Sequence, residues 1–337
     1  MSLLTADELS ALRIERVVLH QVGPRDSDFK IFDGEVDPGD LETFFIERLL
    51  VANKGSRYEF EGTSEVLSAL RAVEVDGTAL IERGAMLATH FNEQHRGNTN
   101  SGTFAIFVLA CEMRRLYAVI KFDHRPTVDV DDSAARAQLR LLKKTIVESP
   151  DAMQKSAIIG LTAAGGELAV RDRRGPGSIP AYFLRFLGVK RRFTESELTK
   201  KLAAVVKNVA AENEENLSPA FLVNLPTRIY HTVQNLETFD SASDDVVTAV
   251  FGAQVPDSPI RAAFAAQLRE AGIEDEHFEL DKAAIPRPTR DRLVTVEGIE
   301  INYGETMRDR VSEIPLGNGE IEIRIRTAGV SKREQLP

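Results

Sequence analysis

Histidines and acidic residues are the side chains in this sequence from which catalytic or metal chemistry could be built. The chain contains six histidines and one cysteine. His90 and His95 flank Glu93 on a predicted helix, but a spacing of five residues places the two rings about 140° apart around the helix axis. A helical zinc site uses a spacing of four residues, which keeps both ligands on one face. We therefore predict no metal site at this pair.

A short acidic run follows the second strand of the clearest predicted hairpin. Asp129, Asp131 and Asp132 could hold a divalent cation, but the run lacks the glycine and the distal glutamate of an EF-hand loop. A solvated turn is the favoured interpretation. A metal-dependent nuclease that uses these carboxylates stays open as the lowest-ranked alternative. A restriction-type nuclease would need Glu-x-Lys, and Val119 occupies the glutamate position before Lys121.

Cofactor and nucleophile motifs are missing from the sequence. It has neither a Walker A sequence nor a G-x-G-x-x-G turn after a predicted strand. Cys111 ends an apolar strand, so we expect a buried thiol rather than a nucleophile. These patterns predict a protein without cofactor, metal or catalytic residues, and hence not an enzyme.

Basic residues are concentrated in one segment of an acidic chain. Residues 170–207 contain ten Lys or Arg against three Asp or Glu, a net charge of +7, whereas the whole chain carries −10. The rest of the chain therefore carries −17. Nonspecific DNA affinity comes mainly from Lys and Arg that neutralise phosphates, so this segment is the best candidate for a DNA-binding surface.

A helix predicted over residues 196–211 would carry part of this charge. At about 100° per residue, Lys200 and Lys207 lie opposite the apolar face and Lys201 lies to one side. The basic run 190–192 precedes the helix in a predicted loop, and such a junction can bring cations and free helix N–H groups to phosphate. The alternative is the ordinary solvated face of a surface helix. We predict a DNA-facing surface formed by Arg173, Arg174, Lys190, Arg191, Arg192, Lys200, Lys201 and Lys207.

The helices and strands predicted around these residues indicate an α+β fold. It has an N-terminal antiparallel sheet with helices, a helical middle region and a small β-rich C-terminal part. Strands are predicted at 12–22, 103–111, 116–122, 157–161 and 167–170, and helices after Asp37-Pro38, at 64–73 and at 78–96. The two longest apolar strands form a hairpin suited to the centre of the sheet. Residues 134–147 fit either a helix or an edge segment.

The character of the sequence changes after residue 172. A loop is predicted through residue 177, helices to about residue 272, and strands at 293–296, 299–303 and 320–326. In the last strand, Ile321, Ile323 and Ile325 alternate with charged residues and are expected to face inward. We divide the chain into an α+β domain, residues 1–172, and a mostly helical region, residues 173–337, which ends in the β-rich part.

Composition excludes several classes of protein. No apolar run approaches the roughly 20 residues that span a bilayer, and the acidic N-terminal residues do not form a secretory signal. One cysteine leaves no intramolecular disulfide, which fits a reducing compartment. We expect a cytoplasmic protein with no membrane partner and with a pI near 5.3.

Five segments in order carry a resemblance to a known family. They are IERVVLHQV at 14–22, the hairpin region 102–128, YFLRFLG at 182–188, residues 298–303 and the strand 321–325. Together with the mass of 37.3 kDa, they resemble the 37-kDa nucleoid-associated protein family of bacteria. The resemblance implies a cytoplasmic, nucleoid-localised protein without cofactor, and it brings no catalytic residues to this sequence.

Two hypotheses about function follow from the resemblance and the charge pattern. The first is a non-catalytic, DNA-binding architectural or accessory protein that serves chromosome organisation and contacts duplex DNA through phosphate and shape. The alternative is a protein-interaction module that a DNA-handling partner recruits to the nucleoid, with the acidic surface and the edge strand 320–326 as docking surfaces. The expected partners are double-stranded DNA, DNA-handling proteins or both, and a homodimer is compatible with either hypothesis.

Overall fold

The fold is organised around a seven-stranded antiparallel sheet. The computed structural model describes residues 3–94, 100–112, 114–131, 138–146, 152–173, 179–317 and 319–330. For residues 6, 129–131, 138–140 and 143 it describes the backbone but not the side chains. The strands are β1 Arg13–Val22, β2 Ser56–Phe60, β3 Gly102–Cys111, β4 Arg114–Asp123, β5 Arg125–Asp131, β6 Gln138–Thr145, β7 Met153–Thr162, β8 Gly165–Asp172, β9 Val189–Arg191, β10 Thr238–Asp240, β11 His277–Glu279, β12 Arg290–Val294, β13 Glu300–Gly304, β14 Val311–Pro315 and β15 Ile321–Ile325. The strand order in the large sheet is β1-β3-β4-β7-β8-β2-β9, so β1 and β9 are its edges.

Helices cover both faces of this sheet and form the middle of the chain. They are α1 Ala6–Ser10, α2 Glu42–Ala52, α3 Glu65–Val75, α4 Leu80–Gln94, α5 Ala181–Leu187, α6 Glu195–Glu212, α7 Pro219–Asn235, α8 Asp245–Phe251 and α9 Pro259–Ala271. Helices α3, α4 and α5 pack on one face of the sheet and α2 packs on the other. Because α5 and β9 belong to this layered unit, the packing joins residues on both sides of the boundary expected at residue 172.

The central strands are buried on both faces. Phe104 and Ile106 of β3 point into the core beneath α4, whereas Ala105 and Phe107 point into the core beneath α2. A strand covered on both sides needs apolar residues at every position, which is why β3 and β4 read as continuous apolar runs rather than alternating ones. The hairpin predicted at the centre of the sheet is therefore confirmed.

A separate apolar core holds the helical middle together. Helices α6 to α9 and the β10–β11 pair surround it. Local signals set the ends of these helices: Ser218 and Ser258 accept hydrogen bonds from the backbone N–H groups of Phe221 and Arg261 at the starts of α7 and α9. The described C-terminal residues form two small ribbons, β12–β13 and β14–β15.

The isoleucine ladder of β15 does not face inward. Ile321 and Ile325 keep 59% and 51% of their surface exposed, because β15 lies in a two-stranded ribbon and not on a covered sheet. The alternation correctly predicts a strand, and the expectation of a buried face is wrong.

Most other expectations of the fold are confirmed. The α+β class and its three regions are as predicted, and within the ambiguous segment residues 138–145 form β6, paired with β5. Residues that follow β1 return beside it through a bridge between Gln21 and Lys30. The helix expected at Pro38 begins with a 3-10 turn and becomes α-helical at Glu42.

Among the described residues, no helix has both the length and the apolar character needed to span a bilayer.

Candidate nucleic-acid interface

The basic residues 190–192 lie on the edge of the large sheet. Helix α5 ends at Leu187 and is capped by Gly188, whose φ of 64° lies in the left-handed region. Gly188 also leaves room for Ser64, since a Cβ at position 188 would lie 2.8 Å from the Ser64 Cβ. The chain then enters β9, which pairs with β2. The loop predicted for these residues is therefore wrong, because they form an edge strand and a turn. The strand forms because the side of β2 away from β8 is free to pair with it. The sequence of three residues does not reveal such a distant partner.

Each cation of this run has a carboxylate partner. Lys190 lies 3.0 Å from Glu59, its neighbour across the strands, and Arg192 lies 3.0 Å from Glu167 of β8. Both pairs are well exposed. Arg191 instead reaches a buried acceptor, which sets it apart from the other two.

The carboxylate of Glu276 joins the helical middle to the sheet. Its Oε1 accepts a hydrogen bond of 2.8 Å from the backbone N–H of Arg57, and its Oε2 lies 3.0 Å from the Arg191 guanidinium. The same guanidinium donates to the backbone oxygen of His277 at 2.7 Å. Because Glu276 is only 2% exposed, Arg191 is engaged inside the protein and fixes the position of the helical middle against β2 and β9.

Helix α6 presents the remaining lysines as the sequence predicts. Leu198, Leu202, Val205 and Val209 are buried. Lys200 and Lys207 are exposed, and Lys201 is half-buried. Among the described residues, neither Lys200 nor Lys207 has a carboxylate within ion-pair distance. These two side chains, like the exposed Arg185, are therefore cations of the basic segment that are available to an outside anion.

The start of α6 is already capped by the chain itself. The Thr194 hydroxyl accepts a hydrogen bond from the Glu197 backbone N–H, and the Glu197 carboxylate accepts one of 2.8 Å from the Thr194 backbone N–H. This bond holds the pKa of Glu197 below its usual value. Glu195 adds a second carboxylate to the first turn. Since negative side chains occupy this end of the helix, it is not the phosphate cradle that the loop–helix junction suggested.

Arg192 and Lys201 converge on one aromatic ring. The Arg192 guanidinium lies 5.4 Å and the Lys201 ammonium 4.6 Å from the centre of the Phe193 ring. Lys201 also donates a hydrogen bond of 3.1 Å to the backbone oxygen of Ala271, the last residue of α9. A cation is favourable at a helix C-terminus, so Lys201 partly serves to dock α9 on α6.

Arg173 belongs to a buried ionic cluster at the ends of β4, β7 and β8. Its Nη1 lies 2.9 Å from Oδ2 of Asp123, whose Oδ1 lies 2.6 Å from Nζ of Lys121. Lys155 faces Lys121 across the strands and pairs with Asp172. Burial lowers the pKa of Lys121 to about 8, although Asp123 favours its charged form.

Sequence reasoning missed this cluster, and a signal for it exists. Lys121 stands inside the otherwise apolar run 116–122, and a lysine in a fully covered strand must be paired. Asp123 is a local partner, two residues along the same strand, but Lys155, Asp172 and Arg173 could not be inferred because they come from or follow other strands. Arg174, the neighbour of Arg173 in the predicted DNA-binding set, lies outside the described residues.

Catalytic and metal candidates gain no support from the described residues. His90 Nδ1 lies 3.3 Å from Glu65, and His95 is outside the description, as are residue 132 and the side chains of Asp129 and Asp131. Within the described part of the chain, no group of three or more His, Cys, Asp or Glu side chains is arranged to hold a metal ion. The expected burial of Cys111 is confirmed, and burial raises the pKa of its thiol.

Comparison with known proteins identifies a family for nearly the whole chain. The family model described as nucleoid-associated protein YejK matches residues 18–329. The match includes most of the large sheet, the helical middle and both C-terminal ribbons. No curated protein matches the chain. The match confirms the resemblance carried by the five ordered segments, with its nucleoid, DNA-binding and bacterial associations.

Proposed function

Because the chain belongs to the family of the nucleoid-associated protein YejK, we propose that it binds duplex DNA through phosphate and shape and catalyses no reaction. Membership of this family assigns the chain to the bacterial nucleoid, in the cytoplasm. Nucleoid-associated families are typically non-catalytic, which supports the second half of the proposal. The observation that carries the DNA contact is the pair of exposed lysines, Lys200 and Lys207, which have no carboxylate partner among the described residues.

The contact surface extends from α6 to the edge strand β9. Lys190 and Arg192 keep 61% and 40% of their side chains exposed, and their partners Glu59 and Glu167 are similarly exposed. Exposed ion pairs of this kind contribute about 0–1 kcal/mol each, so phosphates can replace the carboxylates at little cost. Counterion release from DNA then favours the exchange at low salt.

The other described cations of the predicted set have partners within the protein. Arg191 and Arg173 direct their guanidinium groups at carboxylates that are 2% exposed, and Lys201 is held by Phe193 and α9. We assign to Arg191 and Lys201 the role of holding β9 and α6 in position, whereas Arg173 belongs to the ionic cluster at the ends of β4, β7 and β8. An acidic chain with four outward cations at the proposed surface binds DNA weakly and with strong salt dependence, as expected of contact through phosphates.

A salt series of DNA affinities tests the proposal. Fluorescence anisotropy with a short labelled duplex would compare the wild type with Lys200→Glu/Lys207→Glu. If both lysines contact phosphate, affinity falls on every sequence and the slope of log K against log salt becomes shallower by about 2, since each contact contributes about 0.9. Lys190→Glu/Arg192→Glu is expected to act in the same way.

The control is an equal change of charge on the opposite edge of the sheet. Arg13 and Lys30 are exposed beside β1, and Arg13→Glu/Lys30→Glu alters the net charge by the same amount. We expect this variant to keep the wild-type slope. No binding by the wild type at low salt, or equal losses in the control and in the α6 variant, would refute direct contact at this surface.

Recruitment by a DNA-handling protein is the second candidate function. The pairing of all three cations at 190–192 with carboxylates favours it, because a surface already neutralised attracts DNA less. Under this hypothesis the chain co-purifies with a specific protein after nuclease digestion, and the α6 variant leaves that association intact. Loss of the association on digestion would argue for DNA as the bridge.

A further inference from the structure

The outer edge of β15 has an open row of backbone hydrogen-bonding groups. The backbone N–H of Arg326 donates to the oxygen of Arg310, and that of Leu316 donates to the oxygen of Glu320. In an antiparallel ladder the bonded residues alternate, so the even-numbered residues of β15 face β14 and the odd-numbered ones face outward. Ile321, Ile323 and Ile325 therefore present their N–H and C=O groups at an edge that no strand in the described part of the chain covers.

The charges of β15 are arranged symmetrically about its centre. The sequence from 320 to 326 reads Glu-Ile-Glu-Ile-Arg-Ile-Arg. Two acidic residues precede Ile323 and two basic residues follow it at matching distances. A second copy of the strand, placed antiparallel with Ile323 opposite Ile323, would set Glu322 opposite Arg324 and Glu320 opposite Arg326. Every directly opposed charged pair would then be of opposite sign, and such pairs stabilise a sheet.

We propose that two copies of this chain associate through β15, about a twofold axis at Ile323, to form the four-stranded sheet β14-β15-β15-β14. In this register the pairs Ile323 with Ile323 and Ile321 with Ile325 are hydrogen-bonded pairs. They use the same outward-facing groups that the β14–β15 ladder leaves open. The interface is isologous, as in most protein dimers.

Neighbouring registers are disfavoured by charge. A slip of one strand by two residues in either direction places Glu322 opposite Glu322 or Arg324 opposite Arg324. A slip by one residue would place even-numbered residues opposite odd-numbered ones. The N–H and C=O groups of the even-numbered residues already bond to β14, so they could not form the new ladder. The isoleucines add an apolar contribution in the favoured register, because the half-exposed side chains of Ile321 and Ile325 become cross-strand neighbours on one face.

The opposite edge of the ribbon is less suited to pairing. The same alternation directs Val311, Glu313 and Pro315 of β14 outward. Pro315 has no N–H group to donate, and a proline on an edge strand is a common block against edge-to-edge association. The ribbon thus has one edge protected and one edge with a self-complementary pattern.

Paired charge variants test this proposal in the absence of DNA. Arg324→Glu/Arg326→Glu makes all four charged positions acidic, and Glu320→Arg/Glu322→Arg makes all four basic. Sedimentation velocity of the full chain measures association, and far-UV circular dichroism verifies folding. The wild type is expected to reach twice the chain mass of 37.3 kDa. Each variant alone is expected to associate at least about tenfold more weakly, because four attractive pairs become four repulsive ones.

Mixing the two variants provides the decisive measurement. The acidic and basic strands should pair with each other and restore a dimer of one chain of each kind. A wild type that remains monomeric at about 100 μM, where an interface with a Kd of about 10 μM is mostly formed, would overturn the proposal. Variants that dimerise as strongly as the wild type, or a mixture that stays monomeric, would overturn it as well. In the last case these charges would serve a different partner.

Discussion

The buried ionic cluster at the end of β4 makes a strong prediction about stability. Asp123 lies between Lys121 and Arg173 and also accepts a hydrogen bond from the Asn100 side chain. Its replacement by alanine removes the carboxylate from the Lys121 ammonium, which is fully buried. Among the described residues the ammonium then keeps the Asn100 backbone oxygen and the Gln154 side-chain oxygen as acceptors. The perturbation is therefore an uncompensated charge in the core.

The expected cost can be worked out from burial and geometry. Breaking a buried pair by removing one partner typically costs about 3–5 kcal/mol, and both partners here have side-chain exposures of 2% or less. The pKa of Lys121, already lowered to about 8 by burial, will fall further without Asp123. Part of the cost should therefore disappear as the pH approaches 8 from below, because the lysine of the variant then folds in its neutral form while that of the wild type is still charged.

A double-mutant cycle with a surface control measures this effect. Asp123→Ala, Lys121→Met and the double variant are compared by denaturant unfolding, and Glu59→Ala serves as the control because it breaks the exposed pair with Lys190. We expect Glu59→Ala to lower the free energy of unfolding by about 1 kcal/mol or less. The double variant should lose much less stability than the sum of the losses in Asp123→Ala and Lys121→Met. A cost at Asp123 no larger than at Glu59, or strictly additive changes, would refute the role assigned to the cluster.

Three further predictions concern pH, the junction between regions and packing. Burial lowers the pKa of His20 below its usual 6.5, so the unfolded chain takes up a proton first and stability should fall as the pH drops below about 6.5. The urea midpoint of His20→Leu should fall less with decreasing pH than that of the wild type. The same pH profile in both proteins would contradict this prediction. Glu276→Ala should cost about 3–5 kcal/mol and raise hydrogen exchange at the Arg57 amide, which loses its acceptor; full protection of that amide would count against the junction. Gly55→Ala should lower the melting temperature, because the new Cβ would lie 2.5 Å from a backbone oxygen of β8, whereas Gly62→Ala, with open space around it, should be nearly neutral.

Local patterns determine much of this fold. The apolar face and capping box of α6 are readable from residues 194–209, because helix periodicity and caps depend on neighbours within one or two turns. The central hairpin is equally readable, since two long apolar runs with a short polar connection have few alternatives. The order of five segments along the chain is enough to identify the family, and the family match confirms it.

The candidate site depends more on distant partners. Lys190 and Arg192 are cations in any reading of the sequence, but Glu59 and Glu167 neutralise them only because β2 runs beside β9 and β8. These contacts join residues more than 20 positions apart and, for Glu59 with Lys190, more than 100. No local pattern encodes them, because strand order is set by the packing of the whole sheet.

The strand 321–325 shows the same division within one element. Alternation by itself determines a strand with one apolar and one charged face, since successive side chains point to opposite sides. Whether that apolar face is covered depends on which elements reach it, and the tertiary structure leaves it exposed in a two-stranded ribbon. The sequence alone thus determined most of the elements, the charge segregation and the family. Within the described residues, only the tertiary structure decided which cations remain exposed and which strand edge remains open, because both depend on neighbours that are remote along the chain.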